Sequence, residues 1–188
     1  MKKTSVVILP LIFMALTTLA CAVSLGGPSY PDTPVPVSTE DAGIVEKHFQ
    51  DAATAAANGG PLTLTITESQ LTALVAAKLS EQSEPVITEP QVYLRDGQIQ
   101  IYGKAVRGNF EATVRIVLNA TISDSGKPVI SIVSVDFGPL PAPDSINNTI
   151  SKMVDEAFSG AIGPAATGFR LESIKIENGT MTITGRTK

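Results

Sequence analysis

The sequence predicts an α+β fold in which a long antiparallel sheet packs one face against two to three helices. Three observations carry that expectation. Residues 109–123 alternate apolar and polar side chains with unusual regularity. Two short segments, about 80 residues apart, share a hairpin pattern centred on Asp-Gly or Asn-Gly. Several stretches outside these place apolar residues at helical spacing.

The elements follow in order. Ser38 is placed to cap a helix, with Asp41 three residues on, and Val45, Phe49, Ala52, Ala53 and Ala56 share one face of it. Asn58-Gly-Gly-Pro61 ends that helix. Leu62, Leu64 and Ile66 alternate with threonines, as in a half-buried strand. Thr67-Glu-Ser-Gln70 is a capping-box sequence, and the helix it opens carries Leu71, Leu74, Val75 and Leu79 on one side.

The two hairpin segments are residues 92–104 and 174–186. A type I′ turn at Asp96-Gly97 sets Leu94 opposite Ile99 and Val92 opposite Ile101. The same turn at Asn178-Gly179 pairs Ile176 with Met181 and Ile174 with Ile183. All eight side chains then lie on one face of their hairpins, as a sheet with one buried face requires. Before the second hairpin Ile146, Ile150, Met153, Val154, Ala157 and Phe158 form a helical stripe opened by Asp144. A helix thus precedes each hairpin, which predicts a duplicated helix–hairpin unit rather than a solenoid.

Between the copies, Phe110, Ala112, Val114, Ile116, Leu118, Ala120 and Ile122 occupy one face of a long strand. Asp124-Ser-Gly-Lys turns the chain into residues 129–137, which are apolar on both faces in part and so are expected at the centre of the sheet. The Pro-rich stretch from Gly138 ends that strand, because proline cannot continue a ladder.

The amino terminus has a different character. Lys2 and Lys3 precede an apolar run from Val6 to Leu16, and Thr17-Thr-Leu-Ala-Cys21 follows. A short basic region, an apolar stretch and a small residue before a cut site describe an export signal, here residues 1–20. Ala20-Cys21 resembles the lipobox of bacterial lipoproteins, in which the Cys is acylated and becomes the first residue, although Thr18 stands where that box usually has Leu. Two other readings stand beside it: an uncleaved span from Val6 to Leu25, about 20 residues and just enough to cross a bilayer, or a cleaved, untethered product. In both tethered readings the lysines stay cytoplasmic and the rest lies on the outer side of the membrane. Residues 21–37 then read as a lipidated Cys21 followed by a stalk, since Pro28, Pro31, Pro34 and Pro36 among Gly and Ser favour extended polyproline conformation. Such a stalk would reach roughly 50 Å. Residues 38–188 form a single folded domain.

Composition excludes several chemistries. The chain has 188 residues, one Cys, one His and a formal charge of −4. There is no Cys framework, no His-rich cluster and no basic stripe, so neither a Cys-based metal site nor nucleic acid is expected. No nucleophile elbow, phosphate-binding loop or zinc-protease motif occurs. His48 lies beside the apolar stripe of the first helix with no partner for general-base work, so it reads as a surface or half-buried helix residue. No enzyme and no cofactor are expected.

Leu62-Thr-Leu-Thr-Ile-Thr-Glu-Ser-Gln-Leu71, followed by the repeated hairpin pattern and the order helix, strands, helix, terminal hairpin, resembles membrane-anchored envelope proteins of the YpmS and LmeA kinds over roughly residues 62–187. Those families are similar to TULIP-like lipid-binding folds, so the resemblance implies a curved sheet wrapped around a helix with an apolar channel between them, and no catalytic residues. Groove residues on the helix faces would be Leu74, Val75, Ile150, Met153, Val154 and Phe158. The expected function is a non-catalytic envelope lipoprotein that binds a lipid or other apolar ligand. The alternative is an adaptor that binds another envelope protein, through an added strand at a sheet edge.

Overall fold

A computed structural model of the chain describes residues 23–24, 26–58, 60–83, 85, 87–107, 110–138 and 169–187. Strand β1 (Val23–Ser24) is followed by an extended segment, helix α1 (Thr39–Ala57), strand β2 (Leu62–Thr67) and helix α2 (Glu68–Ser80). Strands β3 (Thr88–Arg95), β4 (Gln98–Arg107), β5 (Phe110–Ile122) and β6 (Pro128–Asp136) come next, and β7 (Phe169–Glu177) and β8 (Thr180–Thr187) close the chain. The fold is α+β, and its pairings are antiparallel apart from β1 with β5.

Both hairpins form in the expected register. Leu94 pairs with Ile99 and Val92 with Ile101, while Ile176 pairs with Met181 and Ile174 with Ile183. Asp96 and Asn178 have φ of 54° and 51°, and the glycines after them 73° and 74°. Two consecutive positive φ angles define the type I′ turn, which Asp/Asn-Gly adopts at least cost. The capping box also forms: Gln70 N–H donates to Thr67 Oγ1, and the Gln70 side chain accepts from Thr67 N–H. Ser38 stands immediately before α1, its N–H donating to Asp41 Oδ2 and its carbonyl accepting from Asp41 N–H.

The single long sheet is not what forms. Among the described residues the strands divide into a five-stranded sheet, β1 and β6 beside β5, then β4 and β3, and a three-stranded sheet ordered β2-β8-β7. The cause lies at the outer edge of β3. Its free donors are taken by α2, because Val92 N–H donates to Thr72 Oγ1 at 2.9 Å and Leu94 N–H to Glu68 Oε1 at 2.8 Å. No edge remains there for β2, so β2 pairs with β8 instead. The two sheets then stack, and Val92, Leu94, Ile99, Val114, Ile116 and Leu118 from one share a core with Leu62, Leu64, Ile66, Leu171, Met181 and Ile183 from the other. Val45 and Ala56 of α1 and Leu71 of α2 complete it.

Two further expectations are corrected. β6 is not central: among the described residues it pairs only with β5, and Val129 and Val133 are 43% and 53% exposed. Its apolar content on the outer face comes from Val129, opposite Thr121, and from Val133, the extra residue of a bulge between Ser134 and Ile132. Residues 26–37 are not a free stalk. Gly26 O accepts from Thr113 N–H at 3.1 Å. From there the chain crosses the outer face of the first sheet to Pro36, whose carbonyl accepts from Ser69 Oγ. Its prolines hold it extended, but the sheet supplies partners that composition does not reveal. The helix expected over residues 144–158 lies outside the described residues, as do residues 1–22.

Thr72 is fully buried on α2. Thr72→Val keeps its shape and removes the acceptor for Val92 N–H, so it should cost about 1–3 kcal/mol in urea unfolding, whereas Thr72→Ser should recover most of that loss.

Candidate functional site

The structure places the expected groove residues unevenly. Val75 is half-buried and packs on the common core, so in its surroundings the helix stripe meets the sheet as ordinary core. Leu74 is half-buried on the same helix. Ile150, Met153, Val154 and Phe158 lie outside the described residues. Between the sheets the packing is closed: Val114 and Met181 are 0% exposed and Val92 and Leu94 1%.

Sequence reasoning missed the place where that closure stops. On the core-facing side of β5 and β6, Ala120, Ile122, Ile130, Ile132 and Val135 are only half-buried, and Ile174 of β7 is in the same state. Register puts Ala120 opposite Ile130, and Ile132 opposite Leu118. The cause lies in the strand order. β5 has 13 residues and runs about 40 Å, past its last β4 partner at Leu118. Among the described residues β6 is an edge strand, so side chains there are flanked on one side only, although β7 still reaches the β5–β6 turn through Leu171 and Arg170. The result is an aliphatic strip that continues the core outward. It contains no ionisable group, so it can bury apolar surface but offers no acid–base or nucleophilic chemistry.

The opposite face of the first sheet carries the polar and aromatic residues. Tyr102 lies against Tyr30 at 5.6 Å between ring centroids and meets Tyr93 edge-on at 5.5 Å. Tyr30 OH donates to Glu89 O, Tyr93 OH to Thr33 O, and Val35 N–H to Gln91 Oε1. Val35 is buried between them. Glu89 has φ of 50° at a bulge between Thr88 and Gln91, an uncommon conformation for a residue of its kind. Its carboxylate pairs with Lys104 at 3.0 Å, and Lys104 also faces Glu111 at 3.5 Å. An open recess of about 320 Å³ remains beside this strap, lined by Tyr30, Pro31, Pro34, Glu89, Gln91, Tyr93 and Lys104. Tyr93 and Tyr102 are buried, so they present no free ring face to a ligand there. The cluster's visible work is to hold residues 26–37 on the sheet.

Among the described residues no group of three or more His, Cys, Asp or Glu is placed to hold a metal ion. His48 is exposed on α1. No described helix is long and apolar enough to cross a membrane. Cys21 and the apolar run before it lie outside the described residues.

Burial, and then the Glu89 charge, raise the Tyr30 phenol above its usual range, and Lys104 offsets this in part. Burial, followed by Glu68, raises Tyr93 likewise. A pKa higher in the folded state than in the unfolded one stabilises below the ordinary phenol value of about 10 and is lost as pH rises through the folded value. Titrated by phenolate absorbance, these two tyrosines should ionise late. The strap should become protease-sensitive in that same alkaline window, while circular dichroism still reports the sheets.

No protein-family model matches the chain, and no curated protein shows significant similarity to it.

Proposed function

We propose that this is a bacterial cell-envelope lipoprotein, held on the outer side of the membrane through Cys21, whose non-catalytic domain takes a lipid or other apolar chain against the inner face of β5 and β6. The observation that carries the reading is the half-buried strip Ala120, Ile122, Ile130, Ile132 and Val135, continuous with a fully packed core. An acyl chain laid along it would gain about 0.8 kcal/mol for each methylene buried. The long β5, the stacked hairpins and α2 against them are consistent with a TULIP-like arrangement. The two hairpins, alike in pattern, turn type and register, support descent from one duplicated helix–hairpin unit.

The anchor rests on residues 1–21. Cleavage before Cys21 removes Lys2 and Lys3 and leaves 12 basic against 18 acidic residues, a net charge of −6. A domain of that charge is repelled by anionic headgroups, so tethering rather than adsorption holds it at the membrane. A second reading is favoured by one observation: β6 has an edge with no partner among the described residues, and exposed Val129 and Val133 lie along that strand. On that reading the domain binds a strand of another envelope protein.

The full chain, extracted from membranes and analysed by native mass spectrometry with organic extraction, should carry a stoichiometric lipid. Ile122→Asp should lose that lipid without unfolding. A lipid-free chain with an intact fold would reject the apolar-ligand reading and leave the strand-addition one. Cys21→Ser should remain uncleaved and take up no labelled fatty acid. Wild-type chain that stays in the membrane without label would instead establish the spanning anchor.

A further inference from the structure

We infer that the domain rests directly against the bilayer, with the end of the first sheet formed by β1 and the beginning of β5 turned toward the lipid. The inference builds on the membrane attachment proposed above and holds for lipidated Cys21, or for an uncleaved span that ends before Val23, since Val23 and Ser24 pair with β5.

The argument is one of chain length and register. Val23 pairs with Phe110 and Ser24 with Glu111, so the chain enters the fold at the first rungs of β5. Cys21 is two residues earlier, and two extended residues span about 7 Å at most. The Pro-rich segment that composition reads as a stalk comes after this entry point, so it adds no distance between anchor and domain.

Several contacts hold that geometry. Gly26 O continues the β1 pairing by accepting from Thr113 N–H. The Tyr30 ring, buried Val35 and the bonds to Glu89, Tyr93 and Gln91 then pin the following residues across β4 and β3. Gly27 marks the tightest point: its φ is 130°, and a Cβ there would run into Thr113 O. If the strap came away, the same residues would become a tether of roughly 50 Å. The far end of the first sheet, at the Ser123–Lys127 turn, lies about 40 Å from the near end. The two ends are therefore distinguishable by proximity to lipid.

The test uses the full chain in phosphatidylcholine vesicles bearing a headgroup acceptor dye, with a donor at Glu111→Cys or Ser125→Cys. The chain's only cysteine is blocked when lipidated, and is replaced as Cys21→Ser when it is not. Transfer should be strong from position 111 and severalfold weaker from position 125. Gly27→Val should keep the chain folded and membrane-bound, yet reduce transfer from position 111. Equal transfer from the two sites, weak transfer from both, or no effect of Gly27→Val would overturn the inference while leaving the anchor in place. A chain recovered wholly in the soluble fraction would overturn both.

Discussion

The outer edge of β3 is the constraint on which the rest of the architecture depends. An edge strand presents N–H groups that must be paired, solvated or covered. Here Thr72 and Glu68 of α2 cover two of them, at Val92 and Leu94. Glu68 does more than that. Its carboxylate also pairs with Arg95 at 2.5 Å, and its own N–H donates to Gly179 O in the turn between β7 and β8. One residue at the first position of α2 therefore meets the edge of one sheet and the turn of the other. The capping box at Thr67 and Gln70 fixes where that residue stands. A second tie lies at the far end, where Leu171 N–H donates to Gly126 O in the turn between β5 and β6. Between these ties the two inner faces close on each other.

The features legible in the sequence are those whose causes are local. The Asp-Gly and Asn-Gly turns set register within a few residues, and the capping box needs only Thr67 to Gln70. The division into two sheets was not legible, because it depends on which element takes the edge of β3, a contact spanning 20 residues or more. The strap was misread for a related reason. Its composition describes a free segment, while its partners, Tyr93 and Gln91, lie 56 to 60 residues away. One signal was available: Tyr93 and Tyr102 fall on the polar-facing positions of the first hairpin, where a large aromatic needs cover.

The candidate site was legible only as a principle. Helical spacing identifies a face that seeks apolar company, and Val75 finds it in the core. Spacing cannot say whether the company is sufficient. That depends on which strands flank each position. β5 runs on past its last β4 partner, Leu118, and β6 is an edge strand among the described residues, so apolar side chains there are flanked on one side only. Ala120 and Ile122 are those side chains on β5, and their neighbours on β6 share their state because the register requires it.

β5 thus carries both features on which the proposed function rests, at opposite ends. Its first residues pair with β1, where the proposed anchor would enter the fold, and its last residues bear most of the strip. On that reading an apolar ligand is not held at the bilayer surface but up to about 40 Å above it, the length of one strand. A hydrocarbon chain drawn that far from the membrane loses its apolar surroundings unless protein replaces them along the way. The arrangement supplies that replacement only at the distal end, because near the anchor the inner face is closed by its own core. Such a geometry suits a domain that receives or presents an apolar chain on the side away from its own membrane. It does not suit one that extracts lipid from the leaflet beneath it.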